Sequence, residues 1–376
     1  MANILLSAAL IVRNEETFLD GCLESLRGRV DEIVVVDTGS TDRSRDIALA
    51  RGARVLDFPW RDDFAAARNA SIEAARGQWI LYIDADERLV EFDRSEAEHL
   101  FGDPTSVAYT VLFRPQQGYT RYREYRLFRN RPDLRFRGVM HETLLPALKE
   151  ICREGSWRIG ESQVALDHLG YEGDLRRKHE RNLPLLRARL ADDPLHVYSW
   201  DHLGKTLLAL DDFAGAETAW LRGIEIVRTL GVAEASDSLP YLHLANHLLD
   251  GGRDASALLE EACGRFTGNH SLTWLRARAL LESGQCAEAM PLFAALAEIR
   301  PDSLDGGCYA FDASIFGANA HAALGLCALR LEHYAESAAH FARAEALAPA
   351  NLEFRGKRLF AEIKAKAAGE FSPFGD

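Results

Sequence analysis

The chain of 376 residues has no cysteine pairing that a disulfide framework or a zinc site would need. Its six cysteines (Cys22, Cys152, Cys263, Cys286, Cys308 and Cys327) are scattered and make no C-x-x-C pair. That spacing reads as reduced thiols in a cytoplasmic protein. No uncharged apolar stretch is long enough to cross a bilayer, so any membrane contact is expected to be peripheral, at its inner face. Basic residues are in the minority: 44 Lys and Arg against 57 Asp and Glu leave a net charge of −13. This argues against general polyanion binding while leaving room for a local basic cleft. The apolar run Ile4–Val12 lacks a preceding Lys or Arg, and Arg13, Asn14, Glu15 and Glu16 end it without a small-residue cleavage site. It reads as a buried first strand rather than a signal peptide.

What is present fits a soluble globular chain, with 47% hydrophobic and 27% charged residues, too long for one typical core. The first half alternates short apolar runs with helical patterns. Strands are expected at Ile4–Val12, Glu32–Asp37, Ala53–Phe58 and Trp79–Asp84, and helices at Glu16–Leu26, from caps Ser40 and Thr41 to Arg51, and at Asp62–Arg76. That alternation implies a parallel sheet covered on both faces, with ligands at the carboxyl ends of its strands. Asp37 and Asp84 both fall at such ends.

From about Asp174 the pattern becomes helical and repetitive. Segment Tyr198–Val227 holds Trp200, Leu203, Gly204, Leu207, Ala216 and Trp220, and segment Ala318–Pro349 holds Leu324, Gly325, Ala328, Phe341, Ala344 and Pro349. Small residues where paired helices touch, with large ones between, match the tetratricopeptide template. His270–Pro301 is a third copy, Tyr241–Phe266 a weaker fourth, and Leu352–Ala368 reads as a capping helix. Residues 302–317, with Gly306, Gly307, Tyr309 and Phe311, fall outside the period and read as an ordered insertion. The expected division is an α/β domain over residues 1–175 and an all-α repeat domain over 176–376.

The strongest chemical signal is Trp79-Ile-Leu-Tyr-Ile-Asp84-Ala85-Asp86-Glu87. A buried strand delivers two carboxylates, one small residue apart, into a tight turn. Carboxylates that close repel unless a cation sits between them, and a divalent ion that also bridges phosphates would do so. Taken alone, a solvated acidic turn explains the segment equally well. Three more segments lie upstream: Ala9-Leu-Ile-Val12-Arg13-Asn14-Glu15, Asp31-Glu-Ile-Val-Val-Val-Asp37-Thr-Gly-Ser-Thr-Asp42, and Asp62-Asp-Phe-Ala-Ala-Ala-Arg68-Asn69. Together the four resemble the family 2 glycosyltransferases of the GT-A fold, over roughly residues 5–95 and more weakly to about residue 182.

The resemblance implies an α/β nucleotide-sugar-binding domain followed by tetratricopeptide repeats. Val12, Asn14 and Glu15 would line the nucleotide pocket, Asp37 would meet the base or ribose, and Arg68 the base or diphosphate. Asp84 and Asp86 would form the Mg²⁺ or Mn²⁺ motif, with Asp86 the direct ligand and Asp84 also touching the donor. Phe136-Arg-Gly138-Val-Met-His141-Glu142 resembles a Gly-x-x-His-Glu segment of the subfamily that carries such repeats, which makes Glu142 the candidate general base of an inverting transfer. Ala165-Leu-Asp167-His168-Leu-Gly-Tyr171, followed by Lys178 and Arg181-Asn182, also matches, and His168 would be a further metal ligand or a diphosphate contact. The acidic pair that many members carry at the base position is missing. Read without the resemblance, Asp37 is a helix cap, Arg68 a surface ion pair, and His141 and His168 packing histidines.

The donor implied is a UDP-sugar, hexosyl transfer being the expected type. The bacterial subfamily with this architecture includes peptide glycosyltransferases, some acting on cysteine sulfur, and the repeats tilt the expected acceptor toward a peptide or protein, since stacked helix pairs make concave peptide-binding surfaces. Relatives acting on lipopolysaccharide core or other glycans supply the alternative. The same repeat surfaces also suit a homodimer. A non-catalytic nucleotide-binding scaffold is disfavoured by retention of both Asp84 and Asp86, and a nucleotidyltransferase by the lack of a glycine-rich basic loop after the first strand. Tyr119–Arg137 carries seven arginines (121, 123, 126, 129, 131, 135 and 137) interleaved with aromatics. That pattern can mark a single-stranded nucleic-acid surface, but the acidic balance and the alternation in Glu124–Phe128 favour a half-exposed strand beside the sugar site.

Overall fold

A computed structural model of the chain describes residues 4–170, 175–304, 307 and 309–370; Tyr171, Asp174, Gly306 and Cys308, named above, lie outside them. The chain divides into two compact units. The first comprises residues 1–117, 121–211 and 305–310, and the second residues 118–120, 212–304 and 311–376.

The first unit is built on one sheet. Its elements are β1 (Leu6–Val12), α1 (Leu19–Leu26), β2 (Glu32–Asp37), α2 (Ser44–Ala50), β3 (Arg54–Asp57), α3 (Phe64–Ala74), β4 (Trp79–Tyr82), β5 (Glu87–Glu91), α4 (Arg94–Phe101), β6 (Ser106–Arg114), β7 (Tyr122–Arg129), α5 (Leu145–Glu154), β8 (Arg158–His168), α6 (Leu175–Asp192) and α7 (Val197–Ala209). The strand order is β3-β2-β1-β4-β7-β6-β8-β5. β3, β2, β1 and β4 are parallel, β7 runs against β4 and β6, and β5 runs against β8.

Two apolar layers sandwich the sheet. Leu6, Ala8, Leu10 and Val12 of β1 join Leu19, Cys22, Leu23 and Leu26 of α1 on one face, while Ala9, Val34 and Ile80 meet Ala65 and Ile72 of α3 and Leu148 of α5 on the other. Burial on both faces is why β1 and β2 read as near-continuous apolar runs rather than alternating ones. The expected strands and helices are present with trimmed ends. α3 starts at Phe64, capped by Asp63 Oδ1, which accepts from the Ala66 amide at 2.9 Å. Ser40 and Thr41 do not cap α2, which begins at Ser44 after Asp42 Oδ1 accepts from the Ser44 amide. Those two residues bind Asn14 instead.

In the second unit the helices are α8 (Phe213–Thr229), α9 (Leu239–Asp250), α10 (Ser256–Arg265), α11 (His270–Glu282), α12 (Cys286–Ala297), α13 (Gly317–Arg330), α14 (Tyr334–Leu347) and α15 (Leu352–Ala368). Each segment expected to repeat holds two helices, although α7 and α8, the helices of the first, fall in different units. Small residues sit where expected. A Cβ on Gly325 of α13 would lie 2.9 Å from the Phe341 ring of α14, and Ala216, Ala277, Ala289, Ala328 and Ala344 are fully buried. Within this unit Gly118–Thr120 pair with Phe311–Ala313: the Thr120 amide donates to Phe311 O at 2.8 Å, and the Phe311 amide to Thr120 Oγ1 at 2.8 Å. No helix among the described residues is long and apolar enough to cross a membrane.

Candidate active site

The carboxyl ends of β1, β2 and β4 gather the first group of functional side chains. After β1, Asn14 takes a left-handed backbone (φ 58°), which asparagine tolerates better than most residues. Its amide donates to Ser40 Oγ at 3.0 Å, and its Oδ1 accepts from the Thr41 amide at 2.7 Å. The Glu15 amide donates to Ser44 Oγ at 2.7 Å, and Val12 O accepts from the Thr38 amide and hydroxyl. Asp37 is buried at the end of β2, where Oδ1 accepts from the Gly39 and Ser40 amides at 3.0 and 2.8 Å. The loops after β1 and β2 are thus fastened to each other, and Val12, Asn14, Glu15 and Asp37 lie together.

The end of β4 carries the charge. Arg68, near the start of α3, is a buried guanidinium held over Tyr82 and Phe136, with ring centroids 5.0 and 5.7 Å away. It forks onto Asp84 (Nη1–Oδ1 2.9 Å, Nη2–Oδ2 3.1 Å) and donates through Nε to Glu142 Oε1 at 2.5 Å. Asp84 and Glu142, 58 positions apart in sequence, therefore share one cation. Burial works to raise the Asp84 carboxyl, but the guanidiniums of Arg68 and Arg126 outweigh it and hold it below the usual range.

Asp86 faces a different partner. Its Oδ2 lies 2.9 Å from His168 Nε2 at the end of β8, and His168 Nδ1 meets Pro115 O. The antiparallel register that sets Glu87 opposite His168 makes this meeting possible. Burial opposes the charged imidazole, yet the hydrogen bond and charge of Asp86 push His168 up to about 9. Glu15 is pushed up to about 7, first by burial and then by the charges of Asp86, Asp84 and Asp42, so these carboxylates face one another. Among the described residues no three acidic, imidazole or thiol groups surround one point as a ready metal cage.

A carboxylate and an imidazole are donors that suit a divalent ion, and here Asp86 Oδ2 and His168 Nε2 point at each other in a 2.9 Å hydrogen bond that a bound ion would replace. With Nδ1 on a backbone carbonyl, the imidazole is oriented from behind as ligating histidines commonly are.

Several participants escaped the sequence reading. Arg126, one of the seven clustered arginines, is buried: it forks onto Glu87 at 3.0 and 3.2 Å, donates through Nε to Glu124 at 2.5 Å, and lies 4.3 Å from the Tyr82 ring centroid. Tyr82 is thus held between two guanidiniums, a feature only its position in β4 reveals. Burial, against the pull of Arg126, pushes Glu87 up to about 7. The other six arginines also have partners within the unit: Arg121 with Glu91 and Asp167, Arg123 with Ser162 O, Arg129 with Ser106 O and Asp103 O, Arg131 with Asp133, Arg135 with Glu73, and Arg137 with Glu150. Beside Glu142, His141 (φ 53°) packs against Tyr198 and His202 of α7, with ring centroids 5.0 and 4.1 Å apart.

Residues 7–150 match the family model described as Glycosyl transferase family 2. A TPR repeat-containing protein of Synechococcus elongatus is 40% identical over 223 residues, covering 57% of this chain and 55% of that protein. The SPbeta prophage-derived glycosyltransferase SunS of Bacillus subtilis (strain 168) is 27% identical over 221 residues, 55% of this chain and 50% of that protein. The chain spans about half the length of these relatives. Among solved structures, glucosyl-3-phosphoglycerate synthase from Mycobacterium tuberculosis is similar at TM-score 0.36 and 19% identity, covering 50% of this chain and 79% of that one. YrrB, a TPR protein, is similar at TM-score 0.38 and 16% identity, covering 50% and 84%. The family 2 glycosyltransferase match thus covers the N-terminal residues 7–150, and paired helices follow it.

Proposed function

We propose that the chain is an inverting glycosyltransferase that moves a sugar from a nucleoside-diphosphate sugar, UDP-linked, to a peptide or protein acceptor. The observation that carries this reading is the pairing of Asp86 with His168 beside an Asp84 already neutralised by Arg68, all beyond the carboxyl end of β4. Asp37 would meet the base or ribose through Oδ2, Oδ1 being taken by its own loop. Val12, Asn14 and Glu15 form the neighbouring wall. Asp86 and His168 would hold a Mg²⁺ or Mn²⁺ ion, with Asp84 beside it as the orienting carboxylate. Such an ion offsets the charge that grows on a departing diphosphate.

The chain's own residues supply the rest. As the acceptor oxygen or sulfur bonds to the anomeric carbon and the bond to the diphosphate breaks, Glu142 takes the acceptor's proton. Arg68 fixes Glu142 and Asp84 relative to each other, which fixes base and donor in one frame. A relative named as a glycosyltransferase and the family 2 match support the activity. The peptide acceptor rests on the helix pairs, since stacked pairs of this kind offer extended binding surfaces.

The test is a thermal-shift panel of nucleotide sugars with and without Mn²⁺, followed by donor hydrolysis. A cognate donor raises the melting temperature by mass action, and more with the metal. No shift and no hydrolysis with any donor in the presence of Mn²⁺ would sink the reading.

A further inference from the structure

The helix that ends the repeat array has two apolar faces. On α15, Phe354, Ala361 and Ala365 are buried, the first two in a cluster with Phe341 and Ala344 of α14. The opposite face is apolar as well: Leu352 is 72% exposed, Leu359 44%, Phe360 48% and Ile363 67%. At about 100° per residue, Leu352, Leu359 and Ile363 fall within roughly 40° of one another around the helix, with Gly356 in the same stripe. A capping helix of a repeat array normally turns a polar face outward. Here a Cβ on Gly356 would meet nothing within 4 Å, so the stripe has a shallow notch in its middle.

We infer that this stripe is a dimer interface whose occupant is α15 of a second copy, lying antiparallel about a two-fold axis near Arg358. The evidence is self-complementarity. In that register Leu352 of one copy meets Ile363 of the other, and Phe360 falls over the Gly356 notch. The flanks match too. Arg355 faces Glu362 of the second copy on one side of the stripe, and Glu353 faces Lys364 on the other. A two-fold axis makes each pair occur twice.

Three of the four flanking side chains are open to such contacts: Glu353 is engaged along its own helix with Lys357 at 2.6 Å, Lys364 lies over the Phe360 ring at 5.7 Å, and Arg355 is exposed. Glu362 is held by Arg358 at 2.6 Å and would share that ion pair with Arg355 of the second copy. The four apolar side chains offer roughly 400 Å² per copy, so with the flanking charged side chains the pair buries about 1,000 Å², at the lower edge for a specific interface. The dimer is therefore concentration-dependent rather than permanent.

The test uses the full chain in sedimentation equilibrium and light scattering from about 1 to 100 μM, a range that brackets micromolar association. The wild type converts from monomer to dimer across this range. Ile363→Glu, at an exposed position, leaves the melting curve in place and stays monomeric. Lys364→Glu sets Glu against Glu at both flanking contacts, and Glu353→Lys sets Lys against Lys. Each alone weakens association by about tenfold or more. Mixed in equal amounts, these two variants regain a dimer, because every flanking contact is then Glu against Lys. A merely structural role for either charge gives no such recovery. A wild type that is monomeric at every concentration, a dimer untouched by Ile363→Glu, or a mixture that stays monomeric would each overturn the proposal.

Discussion

Replacing Arg68 by methionine tests the centre of the site most directly. The guanidinium makes one hydrogen bond to Asp84 and one to Glu142, with a second close ionic contact to Asp84, and lies over the touching rings of Tyr82 and Phe136. Methionine fills much of the same volume and keeps the ring contacts, so the loss is electrostatic. Two carboxylates, Glu142 11% and Asp84 31% exposed, are left without their shared cation, which typically costs 3–5 kcal/mol for a buried pair and here about 3, the lower end. For a unit of about 200 residues each kcal/mol lowers the melting temperature by roughly 2–4 °C, so the expected drop is about 10 °C. Scanning calorimetry on the full chain reads it. Lysine keeps the charge but cannot fork onto Asp84 while reaching Glu142, so Arg68→Lys falls between wild type and methionine. Asp84→Asn combined with Arg68→Met restores part of the loss, because the pair is coupled. A methionine variant that melts within about 2 °C of wild type would refute the shared-cation account, since even the least costly broken buried pair exceeds that.

Four further outcomes are expected. Asp86→Ala abolishes the Mn²⁺-dependent part of UDP binding in calorimetric titration while the fold holds, because the residue sits in a turn; undiminished binding counts against Asp86 as a ligand. Glu142→Gln lowers turnover by about 10²–10⁴-fold with donor affinity unchanged, and a change below about threefold would move the search to Glu124 or Asp167. His141 is held down to about 4, first by burial and then by the positive charges of His196, Lys205 and Arg189. Its folded value lies below the unfolded one, so its contribution is complete above pH 6.5 and declines as pH falls toward 4, by about 2 kcal/mol at pH 5. His141→Asn, which suits the left-handed backbone, should flatten that acid decline in urea unfolding; an identical decline excludes His141 as its source. Gly325→Ala pushes a methyl against the Phe341 ring, 2.9 Å away, and should destabilise the repeats by about 1–3 kcal/mol in chemical denaturation, leaving the first unit unchanged.

Much of this was legible in the sequence because each signal was local. β1, β2 and β4 announce themselves as short apolar runs, and Asp37 and Asp84 as the polar residues that end two of them. The helix pairs follow from alternating small and large residues. What stayed hidden depends on sheet order. Nothing local says that β7 lies next to β4, so Arg126 reads as one more arginine in a basic stretch, yet that neighbour places it over Tyr82. His168 reaches Asp86 across 82 positions because β8 is paired with β5, a register no periodicity encodes. Ser40 and Thr41 do not cap α2 for a related reason: their long-range partner Asn14 outcompetes the local one.

The pairing of Thr120 with Phe311 spans 191 positions and sets an order of events on the ribosome. At about 5–20 residues per second, Phe311 is made roughly 10–40 s after Thr120. Strand pairing completes in microseconds, so β6 and β7 can close long before their connecting turn acquires its partner. During that interval the backbone of residues 118–120 has only solvent or a chaperone to bond with. Synonymous codons that slow synthesis between residues 213 and 300 would lengthen this exposure without altering a single residue of the finished protein.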